Sequence, residues 1–120
     1  MWRSYLLLGL LTGCPTDGVC VTVPDASPER FTVAIAQGRD CDETPLVTRV
    51  TISRAPRGEV LWNLTALEGI ALSTLRYGEL PSGFSQGIAA QPLSVGDTLN
   101  VEVEGRGSSG GVDVVVTGSR

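Results

Sequence analysis

From Leu99 to Val116 apolar residues fall on every second position around a glycine-rich break. Leu99, Val101 and Val103 alternate with Asn100, Glu102 and Glu104; Gly105 to Gly110 follows; then Val112, Val114 and Val116 restore the alternation. A period of two places successive side chains on opposite faces of a strand. Two such runs around a Gly/Ser-rich turn read as a β-hairpin with one apolar face. Such a face is stable only when another layer covers it, so the rest of the chain must supply that layer.

The same grammar recurs upstream. Val19, Val21 and Val23 share a face opposite Cys20 and Thr22, and Pro24-Asp25-Ala26-Ser27-Pro28 is a turn cluster. Phe31, Val33 and Ile35 form the next inward row, and Gly38 to Pro45 is an acidic loop in which Asp40, Asp42 and Glu43 surround Cys41. Leu46, Thr48, Val50 and Ile52 alternate with Val47, Arg49, Thr51 and Ser53. The turn Ala55-Pro56-Arg57-Gly58 then leads into Val60, Trp62, Leu64 and Ala66, which alternate with Leu61, Asn63 and Thr65. Residues 67–97 are less regular. Leu72, Leu75, Tyr77, Leu80 and Phe84 are interleaved with Gly78, Pro81, Gly83 and Gly87, which reads as one or two short strands joined by a long loop from Gly78 to Ala90. A helix over Ala66 to Arg76 is the alternative, because Leu67, Ile70, Ala71 and Leu75 roughly fit a 3.6 period. Gly69 and the β-rich surroundings decide for strand. Branched residues favour strands, and 15 Gly with 7 Pro supply turns. About seven or eight short strands then predict an all-β, immunoglobulin-like antiparallel β-sandwich, with residues 19–120 as its single domain. Both remaining cysteines precede Trp62, so the likeness is to the sandwich architecture and not to antibody domains.

Composition excludes several chemistries. The net charge is −4, all the cations are Arg, and no basic stripe is visible. Nucleic-acid affinity rests on neutralising phosphates, so nucleic acid is not an expected partner. The chain has no His and no Lys, which removes the usual base of a Ser–His–Asp triad and the Ser–Lys variant. Asp40, Asp42 and Glu43 are close in sequence, but they read as a solvated loop, and their spacing matches no calcium loop. Gly105 to Gly111 lies between strands and lacks the Lys of a phosphate-binding loop. Asn63-Leu64-Thr65 fits a glycosylation sequon, a three-residue pattern read here as an accidental match. No catalytic residue, metal or cofactor is therefore expected.

The N-terminus carries an address. Arg3 precedes an apolar run from Tyr5 to Leu11, and small residues follow, which is the layout of an export signal. As a helix that run spans only about 10 Å, against about 30 Å for a bilayer core. It ends in Leu11-Thr12-Gly13-Cys14, which resembles the lipobox of bacterial lipoprotein precursors at every position. The resemblance implies that residues 1–13 are a cleaved signal peptide. It also implies that Cys14 receives a diacylglyceryl group and becomes the first mature residue, its amino group then acylated, as with palmitate. Residues 14–18 are then a short tether. Two or more acyl chains give stable anchoring where one is marginal. Pro15 and Thr16 follow Cys14 where the inner-membrane retention signal has Asp, which favours the outer membrane, with the domain facing the periplasm.

Assigning Cys14 to lipid leaves Cys20 and Cys41, which meet oxidising conditions after export. A disulfide between them contributes roughly 3 kcal/mol in the chain-entropy view. Thiol catalysis lacks an activating His, and two cysteines without other soft ligands make a poor zinc site. The segment Tyr77-Gly78-Glu79-Leu80-Pro81-Ser82-Gly83-Phe84 offers Tyr77 and Phe84 as candidate binding residues, since loops on a rigid sandwich often carry function; pinning the loop to the core is the simpler role for both rings. Together with the lipobox and a tryptophan strand, this loop resembles small bacterial lipoproteins of unassigned function. The expected function is that of a membrane-anchored, non-catalytic lipoprotein that binds or braces another cell-envelope protein. A small-molecule or glycan-binding module, and an inhibitor or exclusion lipoprotein blocking an envelope receptor or hydrolase, are the alternatives. Labelling cells with a clickable fatty acid should mark the wild type and not Cys14→Ala; equal labelling of both contradicts the anchor.

Overall fold

The alternating runs become strands in a computed structural model that describes residues 18–118. The signal segment, Cys14 and the tether as far as Asp17 lie outside the described residues. Among the described residues there are eight strands: β1 (Val19–Asp25), β2 (Thr32–Gln37), β3 (Leu46–Arg54), β4 (Glu59–Ala71), β5 (Thr74–Arg76), β6 (Ser85–Ile88), β7 (Thr98–Gly105) and β8 (Ser109–Val115). They form a 3-stranded sheet in the order β1-β2-β5 and a 5-stranded sheet in the order β6-β4-β3-β7-β8. All pairings are antiparallel. The result is the all-β, immunoglobulin-like sandwich the alternation predicts. Val19, Val21, Val33 and Ile35 of the small sheet face Val50, Ile52, Leu64, Leu99, Val101 and Val103 of the large one in a single buried core.

The C-terminal hairpin has the predicted faces but a tighter turn: Gly105, Ser109 and Gly110 belong to the strands. Bulges break the simple alternation elsewhere, among them two on β3 and β4. On β3, Val47 pairs with Gly105 and Arg49 with Glu104, so Thr48 is an extra residue against β7. That shift turns Val47 inward and leaves Leu46 in solvent, although Leu46 falls in phase with Val50 and Ile52. Between Ile52 and Ser53 a second shift makes Leu61 the extra residue on β4, and both Leu61 and Trp62 are fully buried. A bulge re-aims side chains in this way because it changes the count on one strand only.

A disulfide joins Cys20 to Cys41, with the Cα atoms 5.9 Å apart. It fastens the outer face of β1 to the acidic loop after β2. At the other end of β1, the backbone N–H and hydroxyl of Ser27 donate to Asp25 Oδ1 at 3.0 and 2.7 Å. These two hydrogen bonds, backbone first, hold the Asp25 carboxyl below its ordinary range.

The two open sides of the sandwich are closed differently. On one, β1 runs alongside β8: a Cβ on Gly110 would strike the Val19 carbonyl, and Thr117 N–H donates to Ala26 O at 3.0 Å. Both sheet edges on that side are thereby covered, which is how sandwiches avoid edge-to-edge association. The closure predicts that Gly110→Ala destabilises the domain by about 1–3 kcal/mol, whereas Gly118→Ala, with open space around it, changes little. Urea unfolding of both variants checks this, and equal stabilities would contradict the close approach.

Candidate functional site

The second open side is closed by the irregular segment that carries Tyr77 and Phe84. From the end of β5 the chain turns, with Tyr77 N–H donating to Phe31 O at 2.9 Å and Glu79 N–H to Arg76 O at 3.0 Å. It then descends to Gly83, which packs against the tip of the Ile70 side chain with a φ of 88°. Only glycine adopts this backbone readily. Phe84 follows and is buried, 6% exposed. Tyr77 is half-buried, its ring edge-on to Trp62 at a 5.1 Å centroid separation and to Phe31 at 6.1 Å. Its hydroxyl donates to Gln91 O at 2.6 Å. Burial, the largest influence on it, pushes the Tyr77 phenol above its usual range. In this geometry both candidate residues pin the segment to the core. Trp62 and Phe31 are buried as well, so no aromatic ring is exposed among the described residues.

What the pins deliver to the surface is β6, a strand lying inside the stretch that reads from sequence as one loop. Its four residues are all exposed, and it pairs with β4 through Asn63↔Ile88, Leu64↔Gln86 and Thr65↔Ser85. Two side-chain bonds reinforce that short ladder. The indole N–H of Trp62 donates to Gln86 Oε1 at 2.6 Å, and Ile88 N–H donates to Asn63 Oδ1 at 2.8 Å. Asn63 is therefore occupied within the fold. On its outer side β6 has no neighbouring strand among the described residues, and Ser-Gln-Gly-Ile contains neither charge nor proline. Charges and prolines are the usual means of blunting an edge, so β6 can accept an incoming extended segment by strand addition.

Below β6, strand β4 makes a wide excursion that sequence reasoning missed. Val47 pairs with Ile70 and Arg49 with Thr65, so Ala66 to Gly69 lie opposite Thr48 alone. Gly69 permits this with a φ of 86°, and a Cβ there would crowd both Leu46 and Arg106. Leu67 stands at the excursion, 92% exposed. A shallow depression beside it is lined by Thr65, Ile70, Gly83 and Ser85. The only sequence signal was Gly69 inside an apolar run, a mark of a bulge.

The acidic loop holds Asp40, Asp42 and Glu43 in solvent, with Gln37 and Glu43 exchanging backbone hydrogen bonds. Among the described residues no cluster of metal-ligating side chains forms. Compared with family models, curated proteins and solved structures, the chain matches none.

Pinning has measurable consequences. Tyr77→Phe should cost about 0.5–1.5 kcal/mol, the net worth of one hydrogen bond. Phe84→Ala should cost about 3–5 kcal/mol and speed hydrogen exchange at Ile88 more than at Val101. Protection of Ile88 unchanged in Phe84→Ala would contradict the pinning role.

Proposed function

We propose that this protein is a lipid-anchored, non-catalytic cell-envelope lipoprotein whose sandwich binds another envelope protein along β6. The observation that carries the binding reading is the edge itself: β6 is exposed along its length, uncharged, and held in register by Trp62–Gln86 and Asn63–Ile88. A rigid template reduces the ordering cost of an extended partner segment, because only the partner has to be fixed. Main-chain hydrogen bonds would give affinity, and side chains flanking β6 would give selectivity. The anchor and the envelope location rest on the Arg3-to-Cys14 segment. The Cys20–Cys41 disulfide supports export, since such bonds persist in oxidising compartments. The outer membrane is favoured by the residues after Cys14. A sugar-binding reading needs an exposed aromatic platform, and Phe31, Trp62 and Phe84 are spent on the core.

In-cell photo-crosslinking tests the binding reading. A photoreactive residue at Ser85 should yield a discrete adduct with one envelope protein, and the adduct should vanish when Cys14→Ala is added. The same residue at Arg57, in the β3–β4 turn, should yield none. No adduct at Ser85, or equal adducts at both positions, would contradict β6 as the docking edge.

A further inference from the structure

The strand directions give the domain two distinct ends. At one end β1 begins, β2 leads into the acidic loop, β3 begins at Leu46, β4 finishes at Ala71 and the β7–β8 turn reverses. Arg106 N–H donates to Leu46 O at 3.1 Å there, and Gly69 packs against both residues. Leu67 and its excursion belong to this end. Val95 belongs to the other, where Gly96 N–H donates to Val116 O at 2.8 Å and Thr98 starts β7.

Where the chain enters decides what this end meets. With lipid on Cys14, only Pro15, Thr16 and Asp17 lie between the anchor and Gly18. Fully extended, that stretch reaches about 14 Å. The point of entry at Gly18 therefore stays within that distance of the bilayer surface, and it lies at the end that carries Leu46 and Leu67, opposite the end of Val95. Leu67 is 92% exposed and Leu46 44%. Gly69, at positive φ, shapes the backbone that holds Leu67 out. A large apolar side chain kept in water by a specialised backbone has a cost that an interfacial contact removes.

We infer that Leu67, at the same end as Leu46, is a membrane-interface contact that seats the anchored domain on the lipid headgroups. This inference rests on the lipid-anchor reading above. The contact is apolar and not electrostatic, because the loop at the same end carries Asp40, Asp42 and Glu43 against the single cation Arg39. A self-paired dimer is a poorer occupant of this side of the molecule. Antiparallel pairing of two β6 strands would place the two chain entries at opposite ends, and both could not reach one bilayer. With the seat occupied by lipid, β6 stands just above the surface, open to a partner in the same envelope.

The test uses the lipidated protein purified from membranes and reconstituted into neutral phosphatidylcholine vesicles, with the mass of the lipid on Cys14 recorded first. Leu67→Trp and Val95→Trp are compared in vesicles with and without brominated acyl chains; Trp62, fully buried, gives the same background in both. The Leu67→Trp signal should fall by roughly half and the Val95→Trp signal hardly at all, as for a side chain in the headgroup–acyl boundary. Lipid present on Cys14 with equal quenching at both positions overturns the seat alone and leaves Leu67 to a protein partner. Absence of lipid on Cys14 overturns the anchor reading and the seat with it.

Discussion

A buried indole must find an acceptor for its N–H, because an unpaired polar group in a core costs about 1–3 kcal/mol. The way Trp62 meets that requirement organises one side of this protein. Its acceptor is Gln86, on a strand 24 residues further along the chain, and the bond can form only if β6 lies against β4. Tyr77 packs edge-on against the same indole and fixes the segment that returns to Gln91. One buried ring therefore sets the position of β6, the path of the segment before it and the start of the segment after it. The opposite side depends on Gly110, where the absence of a side chain lets β1 lie along β8. Between them these two devices leave β6 as the open edge of the large sheet.

The strands were legible wherever one face is buried and the other wet. Leu99 to Glu104 and Phe31 to Ile35 read correctly because burial there follows the two-residue period. Legibility failed where a bulge changes the period. Leu46 looked inward and is exposed, since the extra residue Thr48 shifts the phase before Val50. Ala66 to Arg76 suited a helical period as well as a strand, because Leu67 and Ile70 belong to an excursion and not to a regular ladder. Gly69 was the clue against the helix, and its positive φ shows why. The strand β6 had no apolar alternation to reveal it. Its place is set by side chains at Trp62 and Asn63, which no local pattern encodes.

Tyr77 and Phe84 were legible as the notable residues of their loop, and the structure gives them work inside the fold. The surface they create is uncharged Ser-Gln-Gly-Ile, which carries no chemical signature of its own. A binding edge made from backbone is hard to read from sequence for that reason: its donors and acceptors are common to every residue. Leu67 is the opposite case, an ordinary residue made unusual only by the backbone that displays it. Both features lie on β4 or its neighbour, and both acquire direction from the point at which the chain enters the domain.

That entry point makes the lipid on Cys14 the central claim, because it fixes which end faces the bilayer and where β6 is offered. Intact mass spectrometry of the protein extracted from membranes tests it most directly. The account predicts a chain beginning at Cys14 and carrying a diacylglyceryl group with a further acyl chain, its mass lowered by two hydrogens for the Cys20–Cys41 disulfide. A species still beginning at Met1, or one cut elsewhere without lipid, would contradict it.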